Sequence, residues 1–269
     1  MQRARAHRHA EGTRVLPSRR DPALRAAPTR GSRQQRLKHL QENSLIPAAS
    51  GTAGATLTIF DLDGTLTRHD TLLAYLTGFL RRHPRRIAHL LQVVPVLLAF
   101  AFGGADRGAL KSSAIRAVMA GYTRSEIERW TQEFVPTLLE HGMHADALVA
   151  LESHRRTGDV LVLLSASPDL YVPAIGRALG FAETLCTGIR WEGDRLDGQL
   201  TTLNRRDVEK THCVAALRHE HPGLRMVAYG NAASDLEHLA LVDRATLVNG
   251  SATARRAAAG LNIDCVTWR

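Results

Sequence analysis

Cysteine is nearly absent from this chain. The three present, Cys186, Cys213 and Cys265, are widely separated, odd in number and form no CxxC pair, which excludes a disulfide framework and a cysteine zinc site. A reducing cytosol is the compartment this usage implies. Long apolar runs are lacking too. The most apolar stretch, residues 93–102, would rise only about 15 Å as a helix against a hydrocarbon layer of roughly 30 Å, and Pro95 interrupts it. A simple bilayer span is therefore not expected. Acidic residues are scarce at one end: the first 50 residues hold 11 of the 35 Lys/Arg but only 3 of the 26 Asp/Glu, so residues 51–269 carry 24 basic against 23 acidic groups. The net charge of +9 belongs to that tail, and the remainder lacks the basic excess of a nucleic-acid-binding domain.

The tail is rich in Arg, Pro, Ser and Ala and sustains no apolar face, so residues 1–53 are expected to be disordered. They lack the apolar core and small-residue cleavage pattern of a secretory signal. Their acid-poor, Arg-rich composition resembles an organelle transit peptide, and the plainer alternative is an extension without function.

What is present begins with a β-prone run at residues 56–60, TLTIF, which ends in an acidic turn. Residues 67–156 then show helix-period segments over 71–82, 84–102, 106–120, 125–141 and 144–156, an all-helical block. A second apolar strand is predicted at 159–165, followed by a helix opening at Pro168 and a hairpin over 185–200 turning at Glu192-Gly193-Asp194. Helices at 207–219, 234–241 and 252–259 alternate with strands at 226–230, 245–249 and 263–266. Such alternation predicts an α/β fold, a Rossmann-like parallel sheet flanked by helices, with its site at the carboxyl ends of the strands. Residues 54–66 and 157–269 would form this core, and 67–156 an inserted helical cap. The apolar segment around 93–102 is expected as a buried helix of the block, the alternative being a surface that rests on a membrane.

Chemistry concentrates in FDLDGTLT, residues 60–67. Asp61 and Asp63 stand two residues apart directly after an apolar strand, a spacing that sends both carboxylates to one side in extended chain. Gly64 permits a sharp turn and frees backbone amides to meet an anion. Here the sequence resembles the haloacid dehalogenase superfamily, and the match continues in order. Ser165 in LVLLSASP occupies the place of the second motif, Lys210 in NRRDVEK that of the third, and Asn231 with Asp235 in VAYGNAASDL that of the fourth.

The resemblance implies a Mg2+-dependent phosphomonoester hydrolase. Asp61 would attack phosphorus to form an aspartyl phosphate, and Asp63 would serve as general acid and base. Leu62 through its amide, Thr65, Ser165 and Lys210 would hold the phosphoryl group, and Asp61, Asp63, Asn231 and Asp235 the metal. Most members carry Asp where this chain has Asn231, which leaves open a catalytically weakened binding protein. The helical insert and SASP resemble the phosphoserine phosphatase-like branch, and the apolar helix after RRHPRR (residues 81–86) resembles phosphatidylglycerophosphatase C. The substrate implied is a phosphorylated small molecule, phosphoserine-like, or a lipid phosphate. The protein would then be cytoplasmic, with peripheral contact at the inner face of the membrane through the cap, and nucleic acid is not an expected partner.

Overall fold

The computed structural model describes residues 56–269, so the expectation for residues 1–53 lies outside the described residues. Strand β1 (Thr56–Phe60) is followed by α1 (Thr71–Arg82), a 3-10 segment (Pro84–Val93), α2 (Val94–Ala101), α3 (Arg107–Met119), α4 (Arg124–His141) and α5 (Ala145–Arg156). Then come β2 (Val160–Pro168), α6 (Val172–Ala178), β3 (Glu183–Thr187), β4 (Ile189–Glu192), β5 (Arg195–Leu200) and α7 (Val208–Glu220). The chain ends with β6 (Arg225–Gly230), a 3-10 turn (Ala233–Asp235) running into α8 (Leu236–Leu239), β7 (Arg244–Val248), α9 (Ala252–Ala259) and β8 (Asp264–Val266).

Six strands form one sheet in the order β3-β2-β1-β6-β7-β8, and every pairing in it is parallel. β1 lies inside the sheet, between β2 and β6, and all of it after Thr56 is buried. Its alternation shows in the packing. Leu57 and Ile59 join Val162, Leu164, Val214 and Met226 on one face, while Phe60 joins Tyr75, Phe79, Phe134 and Tyr171 on the other. Helix starts follow local chemistry: Asp70 and Asp106 cap α1 and α3 through their side chains, and Thr123 with Glu126 makes a reciprocal capping box for α4.

Four details depart from the sequence reading. The strand β2 continues to Pro168, beyond a bulge after Leu164, and the helix starts only at Val172. The predicted hairpin is divided: β3 joins the parallel sheet beside β2, and β4 and β5 alone form the antiparallel pair. The segment over 84–102 is a 3-10 turn series leading into a short α-helix, with a proline near the start of each part, and none of its residues is buried. Phe102 is 88% exposed and Leu91 75%. Finally, the chain comes back beside the turn that follows β1 well before it reaches β2. The amide of Arg68 donates to the carbonyl of Gly142 at 2.8 Å, and that of His144 to Leu66 at 2.9 Å. Helix α5 therefore follows the return. Its His154 stands 3.3 Å from Thr58 Oγ1 on β1 and 2.9 Å from the Tyr229 hydroxyl on β6.

Candidate active site

The carboxyl end of β1 delivers Asp61 to the floor of a cavity of about 530 Å³. Its backbone amide donates to Tyr229 on β6, continuing the sheet by one residue. The chain then turns around the carbonyl of Leu62, which accepts from the amides of Thr65, Leu66 and Thr67 and from the Thr67 hydroxyl. The N–H groups of Leu62 and Asp63 take no part in those bonds. Gly64 makes the turn at φ +81°, and a Cβ there would lie 2.0 Å from Asn231 Nδ2. Backbone geometry and the close approach of the 231 loop both require glycine at this place.

Asp61 is buried, with Lys210 Nζ 2.6 Å from one oxygen and the Thr65 hydroxyl 3.0 Å from the other. Burial pushes its carboxyl up to about 6; Lys210 opposes that rise, while Asp235 and Asp63 add to it. Lys210, near the start of α7, is only 3% exposed and also donates to Asp235 at 2.8 Å. Burial works against its charge, but the two carboxylates outweigh that and hold its pKa above the ordinary value. The other oxygen of Asp235 accepts from the amides of Asn231 and Ala232 at 3.0 and 2.9 Å. Despite its burial, Lys210 keeps Asp235 below the usual carboxylate range.

Asp63 is held differently. One oxygen accepts from both the amide and the hydroxyl of Thr71 at 2.6 Å, the other from Ser167 Oγ at 2.7 Å. Burial raises its pKa, and these hydrogen bonds offset part of the rise. Burial thus raises both neighbouring carboxyls, Asp61 against the pull of an ammonium and Asp63 against that of hydroxyl and amide donors.

The structure brings Asp61, Asp63, Lys210, Asn231 and Asp235 together in this cavity, with Thr65 and Ser165 packed beneath it. Thr65 spends its hydroxyl on Asp61, and Ser165 is fully buried with its Oγ accepting from the Ser167 amide at 3.0 Å. The sequence reading missed Thr71 and Ser167, which grip Asp63. Thr71 was foreshadowed by Asp70, a helix-cap residue placed directly before it, and Ser167 by the serine doublet in SASP. It also missed Lys111, Asn204 and Arg206, which line the same cavity.

Among the described residues no group of three or more His, Cys, Asp or Glu side chains is placed to hold a metal ion. Asp61, Asp63, Asn231 and Asp235 all line the cavity, and each carboxylate oxygen of the three aspartates already accepts a hydrogen bond, so a cation would share these oxygens with their present donors. The cavity lining holds neither thiol nor imidazole. A set made only of oxygens, with few protein ligands, fits a hard ion that keeps several waters, as magnesium does.

A model of the haloacid dehalogenase-like hydrolase family matches residues 58–240. Protein CicA of Caulobacter vibrioides is 35% identical over 190 residues, covering 70% of this chain and 83% of that protein. A Mycobacterium tuberculosis protein named "Probable phosphatase" is 23% identical over 207 residues, covering 76% and 72%. Among solved structures, a Bordetella pertussis protein of unknown function superposes with a TM-score of 0.65 at 20% identity, covering 79% of this chain and 98% of that one. A substrate-bound phosphoserine phosphatase complex superposes at 0.57 and 13%, covering 80% and 94%. With two carboxylates after the first strand, a buried lysine reaching the first of them from α7 and a family model spanning residues 58–240, the chain belongs to the haloacid dehalogenase-like hydrolase family.

Proposed function

We propose that the protein is a magnesium-dependent phosphatase that hydrolyses phosphate monoesters through a phosphoryl group carried on Asp61. The observation that carries this reading is the buried Lys210 held between Asp61 and Asp235, with Asp63 gripped separately by Thr71 and Ser167. A phosphate dianion repels a carboxylate nucleophile, so positive charge must be fixed in place before attack. Lys210 supplies part of it. Asp61, Asp63, Asp235 and the Asn231 oxygen would hold magnesium, which when bound neutralises further charge on the phosphoryl oxygens.

In the first half-reaction an oxygen of Asp61 forms a bond to phosphorus, the bond to the leaving oxygen breaks, and that oxygen takes the proton held on Asp63. In the second, the Asp63 carboxylate accepts a proton from water as the water oxygen attacks phosphorus, and Asp61 is released as carboxylate. A carboxyl with a raised pKa suits both duties. Thr71 and Ser167 fix its direction throughout.

The apolar segment over 84–102 favours a lipid phosphate among the possible substrates. It has no buried residue, it follows Arg81 and Arg82 and itself carries Arg85 and Arg86, and its Phe100 lines the cavity. Exposed apolar side chains beside cations match an anionic membrane surface.

The test is Asp61→Asn in the full chain. It should lose turnover of phosphomonoesters and, in rapid-quench mass spectrometry with magnesium, the phosphorylated protein seen in the wild type. Full activity of a folded Asp61→Asn preparation would end the mechanism.

A further inference from the structure

The chemistry above leaves a second group of cations in the same cavity unused. Lys111, on α3, sends its ammonium to the carbonyl of Ala166 and to Oδ1 of Asn204. Both acceptors are neutral. Among the described residues Lys111 forms no ion pair, whereas Lys210 is flanked by two carboxylates. An ammonium has three N–H groups, so one remains after these two bonds. Arg206 lines the cavity beside it, and its acidic partner Asp207 stands at 3.8 Å, the outer limit of an ion pair.

The surroundings explain what such a pair of cations is suited to do. Burial lowers the Lys111 pKa to about 8, with Asp63 and Asp70 opposing that shift and Arg206 adding to it. A cation taken partly out of water without a counter-ion is destabilising unless a ligand supplies the charge. The lining that α1 and α3 add to this cavity is largely apolar, with Leu72, Leu76, Leu110 and Ala114 beside Arg107. Ala166 directly follows Ser165, so the cationic pair sits next to the catalytic floor.

We propose that Lys111 and Arg206 form a second anion subsite, which binds a carboxylate or phosphodiester carried by the substrate itself and thereby selects phosphomonoesters with a second negative group over those with a neutral body. The substrate class rests on the phosphatase reading, but the subsite is separable from it. A purely structural Lys111, holding the bulged end of β2 at Ala166, would affect all substrates alike.

The readout is a ratio: kcat/KM for 3-phosphoglycerate over kcat/KM for glycerol 3-phosphate, which differ in one carboxylate. Wild type should favour the carboxylate by about tenfold or more. Lys111→Met should lower the ratio about 10–100-fold, the range expected for a charged hydrogen bond worth 1.5–3 kcal/mol, and Lys111→Arg should restore most of it. Glycerophosphoglycerol phosphate replaces the carboxylate with a phosphodiester, and whichever doubly anionic compound shows the larger dependence on Lys111 identifies the group bound. A wild-type ratio near one for both compounds, or a ratio unchanged in Lys111→Met, overturns the proposal.

If Lys111→Met does not fold by circular dichroism, Arg206→Gln carries the same test in the same direction. Should wild type hydrolyse no phosphomonoester with magnesium, the phosphatase reading fails. Calorimetric titration of the metal-free full chain with the same two compounds then decides the subsite. A carboxylate preference lost in the variant supports it, and the absence of any preference refutes it.

Discussion

The floor of the cavity and its helical wall are built on opposite plans. At the floor nearly every polar side chain is spoken for: Asp61, Asp63 and Asp235 each have both oxygens hydrogen-bonded, and Lys210 is enclosed between two of them. Along the wall, α2 and the preceding 3-10 segment contribute no buried residue, and Lys111 and Arg206 keep donors for something outside the protein. The difference teaches where each property resides. A reaction common to many substrates needs groups whose positions do not vary, whereas choice among substrates can be written into side chains that the core does not depend on.

The largest effect should come from disturbing the floor. Asp63→Asn keeps the size of the side chain but cannot cycle a proton, and turnover should fall roughly 10²–10⁴-fold with the fold intact. A smaller loss, with proton transfer unaffected in solvent isotope measurements, would show that Asp63 serves mainly to hold the turn.

Packing offers a second contrast. Phe79 on α1 is 1% exposed and stacks with His83, so Phe79→Ala should cost about 3–5 kcal/mol in denaturant unfolding. Phe102 is 88% exposed, and Phe102→Ser should change stability by less than about 0.5 kcal/mol. If the wall meets a membrane, the same Phe102→Ser protein should bind anionic vesicles more weakly in a sedimentation assay. Equal stability losses in the two variants would erase the distinction between the packed and the uncovered parts of the helical wall.

The smallest expected effect is a pH dependence. Lys111 is charged below about 8 and loses its proton above it, facing Asp63, Asp70 and Arg206 as it does so. KM for 3-phosphoglycerate should therefore rise several-fold between pH 7 and 9, while that for glycerol 3-phosphate rises less. The sign follows from burial: a lowered amine pKa means that attraction for an anion is complete at the low end of this window and fades toward the high end. Parallel profiles for the two compounds would detach Lys111 from substrate choice.

The floor was largely legible because its residues sit at strand ends. A β-period run followed by DLD, a lysine at a helix start and an acidic loop after a third apolar strand are local patterns, and a parallel sheet gathers such ends on one edge. The wall was not. Apolar periodicity marks residues 84–102 as helix-forming but cannot say whether anything covers them, because hydrophobicity in sequence carries no information about the partner. Thr71 and Ser167 were missed for a related reason: single hydroxyls become ligands of Asp63 only when α1 and β2 are brought side by side. Lys111 and Asn204 lie far apart in the chain and meet only in the folded cavity. The division of the predicted hairpin, with β3 given to the parallel sheet, likewise depended on a neighbouring strand, β2, rather than on the turn at Gly193.

The pairing of Leu66 and Arg68 with His144 and Gly142 gives the intervening chain a narrow neck. Two backbone segments already in hydrogen-bonding contact can be joined by a short turn at little entropic cost. Everything from His69 to His141 is, in topological terms, one long excursion from the turn after β1. Provided that Thr71 keeps its hold on Asp63, such an excursion can be lengthened or shortened beyond α1 without altering the register of any sheet strand. The architecture thus treats the mouth of the cavity beyond α1 as interchangeable tooling on a fixed chuck.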